Sequence, residues 1–126
     1  AAFELSGDRM FVDKAEELAE ALLPAFNTPS GIPKTTINLK TGRATNPSWN
    51  GQQCVLSEFG TLGLEWRALS HYTGNERYRD KVDLVAEKMR DVTTTGLLPT
   101  FFNADTGQPT NSHITYGARG DSYYEY

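Results

Sequence analysis

Apolar residues recur at helical spacing in three stretches of this chain. Phe11, Ala15, Leu18, Ala19 and Leu22 form one stripe, and Tyr78, Val82, Val85 and Met89 a second. Val55, Phe59, Leu62, Trp66 and Leu69 form a third, which predicts one helix over about 53–73. Pro24 and Pro29 end the first helix, and Thr93–Gly96 ends the second. Between helices the pattern turns strand-like around Thr41-Gly42 and again around Thr106-Gly107, which predicts short β-hairpin loops. A further helix is predicted to start near residue 120.

These elements repeat. Residues 5–20, LSGDRMFVDKAEELAE, align with residues 72–87, YTGNERYRDKVDLVAE, pairing Gly7 with Gly74, Asp8 with Asn75 and Asp13-Lys14 with Asp80-Lys81. With a drift of two residues the match continues: Pro33 with Pro99, Asn38 with Asn103, Thr41-Gly42 with Thr106-Gly107, and Thr45-Asn46 with Thr110-Asn111. Each unit reads helix, β-loop, helix, turn. Glycine suits the left-handed helix end, and Asp or Asn accepts hydrogen bonds from the open amides of the next helix. A lone helical pair leaves an apolar stripe uncovered and stacks on its neighbours, so the pattern predicts an all-α array of helical hairpins, an open solenoid or a closed α/α barrel.

Composition narrows the function. The formal charge of −4 argues against a nucleic-acid partner, which needs a basic face. Cys54 is the only cysteine, so no internal disulfide forms. The chain opens Ala-Ala and closes inside GARGDSYYEY, so both ends are expected to be cuts in a longer domain. His71 and His113 have no metal-ligand spacing, and no glycine-rich phosphate loop is present.

Two places carry candidate chemistry. On a continuous 53–73 helix, Glu58 falls about 20° from Leu69 on the helical wheel, with Glu65 a similar step further. It is either a solvent-reaching flank or a carboxylate aimed into a closed cavity. The second place is residues 116–126, where Arg119, Asp121 and Glu125 stand among Tyr116, Tyr123, Tyr124 and Tyr126. Asp121 and Glu125 are one helical turn apart, and the repeat brings Asp121 to the region equivalent to that around Glu58. Asp121 is either a helix-start residue favoured by the helix dipole or an acid entering the same face of the array as Glu58. Arg119 either pairs with a surface acid or, with the aromatics, meets a sugar ring by its C–H faces and hydroxyl edges.

The segments LSGD, LLPAFNTPSGIP, LEWRALS, TGNERY, GLLPTFFN and GARGDSYYEY occur here in the order and spacing of the class I α-1,2-mannosidases, glycoside hydrolase family 47. The resemblance spans residues 1–126, which it identifies as part of a catalytic domain. It implies an arc of an α/α barrel of repeated helical hairpins with short β-hairpin loops at one end. It implies calcium-dependent, inverting removal of terminal α-1,2-linked mannose from high-mannose N-glycans on glycoproteins in the endoplasmic reticulum or Golgi. A membrane anchor elsewhere in the full-length protein is compatible with it. By resemblance Asp121 is a catalytic carboxylate, and Glu58, Arg119 and Glu125 bind substrate. The general acid, the general base and the calcium-holding segment are expected outside these residues, so residues 1–126 alone are expected to be inactive. Gly63 stands where many members carry glutamine, which implies a missing polar contact near Glu58. A mannosidase-like lectin of glycoprotein quality control is the alternative on the same fold. A helical scaffold that binds proteins is a third.

Overall fold

A computed structural model describes residues 1–126. Five helices carry the chain: α1 (Ala2–Ser6), α2 (Met10–Leu22), α3 (Leu56–Phe59), α4 (Gly63–Thr73) and α5 (Arg77–Val92). Four short strands accompany them: β1 (Thr36–Asn38), β2 (Arg43–Thr45), β3 (Cys54–Val55) and β4 (Phe101–Phe102). Single 3₁₀ turns occupy Leu23–Phe26, Ser48–Asn50 and Asp121–Tyr124.

The repeat holds at the level of individual hydrogen bonds. Gly7 and Gly74 both adopt φ near +70°, and their amides close α1 and α4 onto Phe3 and Ser70. Asp8 Oδ1 then accepts the amide of Met10 at 2.9 Å, and Asn75 Oδ1 that of Arg77 at 3.2 Å. The hairpin turns are equally alike. Asn38 Oδ1 accepts the amides of Lys40 and Thr41, as Asn103 Oδ1 accepts those of Asp105 and Thr106. Gly42 and Gly107 follow at φ 68° and 70°, a region closed to most side chains. Ile37 pairs with Ala44 across β1 and β2, and Phe102 bridges Pro109 at the matching place. β3 and β4 then join the two units, pairing Cys54 with Phe102 and Val55 with Phe101.

Helix α5 buries Tyr78, Val82, Val85 and Met89, the stripe its spacing predicts. Helix α2 differs. It buries Val12 and Ala19, while Phe11 and Leu18 remain exposed. Those two residues edge grooves beside Leu69, which is contributed by α4. The α2–α4 contact covers one edge of the α2 stripe and leaves the other open.

The single helix expected over 53–73 is divided. β3 and α3 come first, residues 60–62 interrupt, and α4 follows. Gly60 and Gly63 are weak helix formers, and the Thr61 hydroxyl bonds back to the Ser57 carbonyl at 2.8 Å. Tyr123 also presses on Gly60, where an added Cβ would meet its ring at 2.5 Å. The helix expected from residue 120 is a four-residue 3₁₀ turn.

The contact between α2 and α5 is polar at its edge. The buried Tyr78 hydroxyl donates to Glu20 and to Glu16, and Arg77 pairs with Glu20. The Tyr78 hydroxyl, and after it Arg77, holds the Glu20 carboxyl below its ordinary value. A depressed carboxylate contributes stability above its unfolded pKa and loses it as pH falls through the folded one. The stability gap between wild type and Tyr78→Phe is therefore expected to be full near neutrality and to narrow as pH drops below about 4. Urea unfolding at stepped pH reads this directly. A gap independent of pH would contradict the role of the pair.

Candidate functional site

The segment from Tyr116 onward lies against α3. The Ser57 amide donates to the Arg119 carbonyl at 3.1 Å, and the Ser122 hydroxyl reaches the Ser57 carbonyl at 3.5 Å. Amides of Gly120 and Asp121 both return to the Gly117 carbonyl, which tightens the turn ahead of Asp121. Thus Ser57 joins the two places that the sequence marks, with Glu58 on one side and Arg119–Asp121 on the other.

Their side chains diverge in what they touch. Glu58 Oε2 accepts the Thr35 hydroxyl at 2.6 Å. It edges a largely apolar cavity of about 180 Å³ with Phe26, Ile37, Phe59, Leu62 and Trp66. Because α3 and α4 are separate, the wheel angle relating Glu58 to Leu69 does not apply. Glu65 sits in the first turn of α4 instead and accepts the Tyr126 hydroxyl at 3.3 Å.

Arg119 forms no ion pair with Asp121, Glu125 or any other acid. Its guanidinium lies over the Trp49 ring, 4.8 Å from the centroid, and 5.6 Å from that of Phe101. Its backbone adopts φ 76°, an uncommon conformation for a residue with a side chain. Asp121 and Glu125 are exposed, and neither carboxylate has a side-chain partner. No hydrogen bond or common cavity joins Asp121 to Glu58.

The tyrosines hold the segment in place. Tyr124 accepts the Leu98 amide at 3.1 Å and donates to the Leu98 carbonyl at 3.2 Å. Tyr116 packs edge-on to it at 4.8 Å. Tyr123 covers Gly60, and Tyr126 ties to Glu65. The aromatic faces beside Arg119 belong to Trp49 and Phe101, which spacing alone did not single out. The one sequence signal was a lone tryptophan among turn residues in NPSWNG.

Gly63 and Glu58 line different cavities. A Cβ at Gly63 would face Arg67 Nη1 at 2.8 Å, and the residue edges its cavity with Tyr123 and Tyr126. Cys54 is fully buried, donating to the Pro33 carbonyl at 3.4 Å. Burial pushes its thiol up, which marks a packing residue rather than a nucleophile. No three His, Cys, Asp or Glu side chains gather into a group that could hold a metal ion.

The family profile described as glycosyl hydrolase family 47 matches residues 1–126. A mannosyl-oligosaccharide 1,2-alpha-mannosidase of Arabidopsis thaliana is 48% identical over 99% of this chain and 23% of its own length. A mannosyl-oligosaccharide alpha-1,2-mannosidase IA of Drosophila melanogaster is 45% identical over 98% of this chain and 19% of its own. An endoplasmic reticulum mannosyl-oligosaccharide 1,2-alpha-mannosidase of Rattus norvegicus is 41% identical, and the chain spans 19% of it. The solved alpha-1,2-mannosidase from Trichoderma reesei superposes with a TM-score of 0.81 at 29% identity, over 90% of this chain and 24% of that one. That neighbour is an α/α barrel, so the helical hairpins described above form an arc of such a barrel.

Proposed function

Since the chain belongs to glycosyl hydrolase family 47, we propose that the full-length protein removes terminal α-1,2-linked mannose from high-mannose N-glycans on glycoproteins. The observation that carries this reading is the joint at Ser57. It sets a hydroxyl-accepting carboxylate, an unpaired guanidinium and an unpartnered carboxylate along adjoining segments. Arginine donors and carboxylate acceptors are the groups that read sugar hydroxyls.

In this reading Arg119 donates to hydroxyls of the terminal mannose and Glu58 accepts from another. Glu125 lies one turn beyond Asp121 and contributes negative charge to the rim. The reaction proceeds with inversion. A carboxylic acid protonates the leaving glycosidic oxygen, while a carboxylate takes a proton from the attacking water, the two standing about 6.5–9.5 Å apart. Asp121 is a further carboxylate of that site, beside the general acid and general base expected outside residues 1–126, and its freedom from other partners in the chain leaves it available for proton exchange. The reaction depends on calcium, and the side chains of residues 1–126 form no cluster fitted to the ion. Such substrates place the protein in the secretory pathway, in the endoplasmic reticulum or Golgi.

The test is incubation of the full-length protein with a high-mannose N-glycan, read by mass spectrometry. Stepwise loss of hexose units, stopped by a calcium chelator, is expected. A protein that binds the glycan yet leaves its mass unchanged is a lectin and overturns the hydrolase reading.

A further inference from the structure

Trp49 is 60% exposed, an unusual position for so large an apolar side chain. The loop that carries it is nevertheless well built. Asn50 is buried; its Nδ2 donates to the Gln53 carbonyl at 2.8 Å, and its Oδ1 accepts the Gln53 amide at 3.2 Å. Asn46 Nδ2 donates to the Gln52 carbonyl at 3.0 Å. The loop is therefore fixed by polar bonds at its base, and the indole is left at the surface.

What the indole meets is Arg119. The guanidinium carbon stands 4.8 Å from the indole centroid and 5.6 Å from that of Phe101, whose ring lies edge-on to Trp49 at 6.3 Å. Stacking occupies the face of a guanidinium and leaves the N–H edge free. A carboxylate partner would have consumed that edge, and Arg119 has none.

We propose that Trp49, backed by Phe101, is a positioning residue that holds Arg119 by its face so that its N–H edge meets neighbouring hydroxyls of the oligosaccharide. This rests on the mannosidase reading for the identity of the sugar, but not on hydrolysis taking place. Trp49 thereby controls substrate affinity through Arg119 while leaving the reacting carboxylates untouched.

The experiment is a double-mutant cycle in the full-length protein, with Trp49→Leu, Trp49→Phe, Arg119→Leu and the Trp49→Leu/Arg119→Leu pair. Kinetics on a high-mannose glycan are combined with calorimetric titration of a thio-linked, uncleavable α-1,2-mannobiose. Trp49→Leu is expected to raise KM and Kd about tenfold with kcat within about twofold, as for a lost stacking contact. Trp49→Phe is expected to restore most of the affinity, since a ring face remains. In the Arg119→Leu background, Trp49→Leu is expected to add less than about twofold, because the two act as one unit. Equal penalties in both backgrounds, or unchanged Kd in Trp49→Leu, overturn the proposal alone. A wild type that binds the disaccharide with the expected dependence on Trp49 but cleaves nothing supports this proposal and overturns hydrolysis. A wild type that neither binds nor cleaves overturns both.

Discussion

Asp121→Asn in the full-length, calcium-loaded protein is expected to lower kcat by roughly a hundredfold or more, the usual cost of losing a general acid–base group. Asparagine keeps the shape of the side chain and its ability to accept a hydrogen bond, but it does not exchange a proton. Asp121 starts a four-residue 3₁₀ turn, and its carboxylate has no partner in the chain, so no structural contact is lost with the charge. Asparagine also serves well at a helix start. Arg119 and Glu58 remain to hold the sugar, so KM is expected to move by less than about threefold, which separates lost turnover from lost binding. Near-normal turnover in steady-state kinetics would reduce Asp121 to a turn residue.

Phe102→Ala is expected to destabilise the protein by about 3–5 kcal/mol, the range for truncating a buried aromatic ring. Phe102 is fully buried, pairs with Cys54 across β3 and β4, and meets Phe59 edge-on at 5.3 Å. It therefore joins the second hairpin loop to α3, the helix that carries Glu58. A void there loosens both the core and the support of the candidate site. Guanidinium unfolding monitored by tryptophan fluorescence measures the effect. A change of less than about 1 kcal/mol would show that the site collapses around the void instead.

The repeat and its turns were readable because they rest on local chemistry. Glycine followed by Asp or Asn marks a helix end and a new start within three residues, and Asn38-to-Gly42 carries the whole hydrogen-bond set of its turn. The stripe on α5 was readable for the same reason, since one broad face is covered. Where periodicity misled, it did so because spacing survives a break in the backbone. Phe59, Leu62, Trp66 and Leu69 keep helical intervals across residues 60–62, although the helix stops at Phe59 and restarts at Gly63. On α2, periodicity located the stripe but not which edge α4 would cover. The motif around Asp121 was legible as a run of unusual residues. The pairing of Arg119 with Trp49 was not, because stacking between distant loops leaves no interval to read. Thr35 on Glu58 was hidden for the same reason, being brought there by the approach of the first hairpin loop to α3.

The most direct measurement is a crystal structure of the full-length protein with a thio-linked, uncleavable α-1,2-mannobiose. One mannose is expected within hydrogen-bonding distance of both Arg119 and Glu58, with the Asp121 carboxylate facing the same sugar. A disaccharide bound out of reach of these side chains, or Glu58 and Asp121 directed to opposite sides of the helical array, would contradict the assignment.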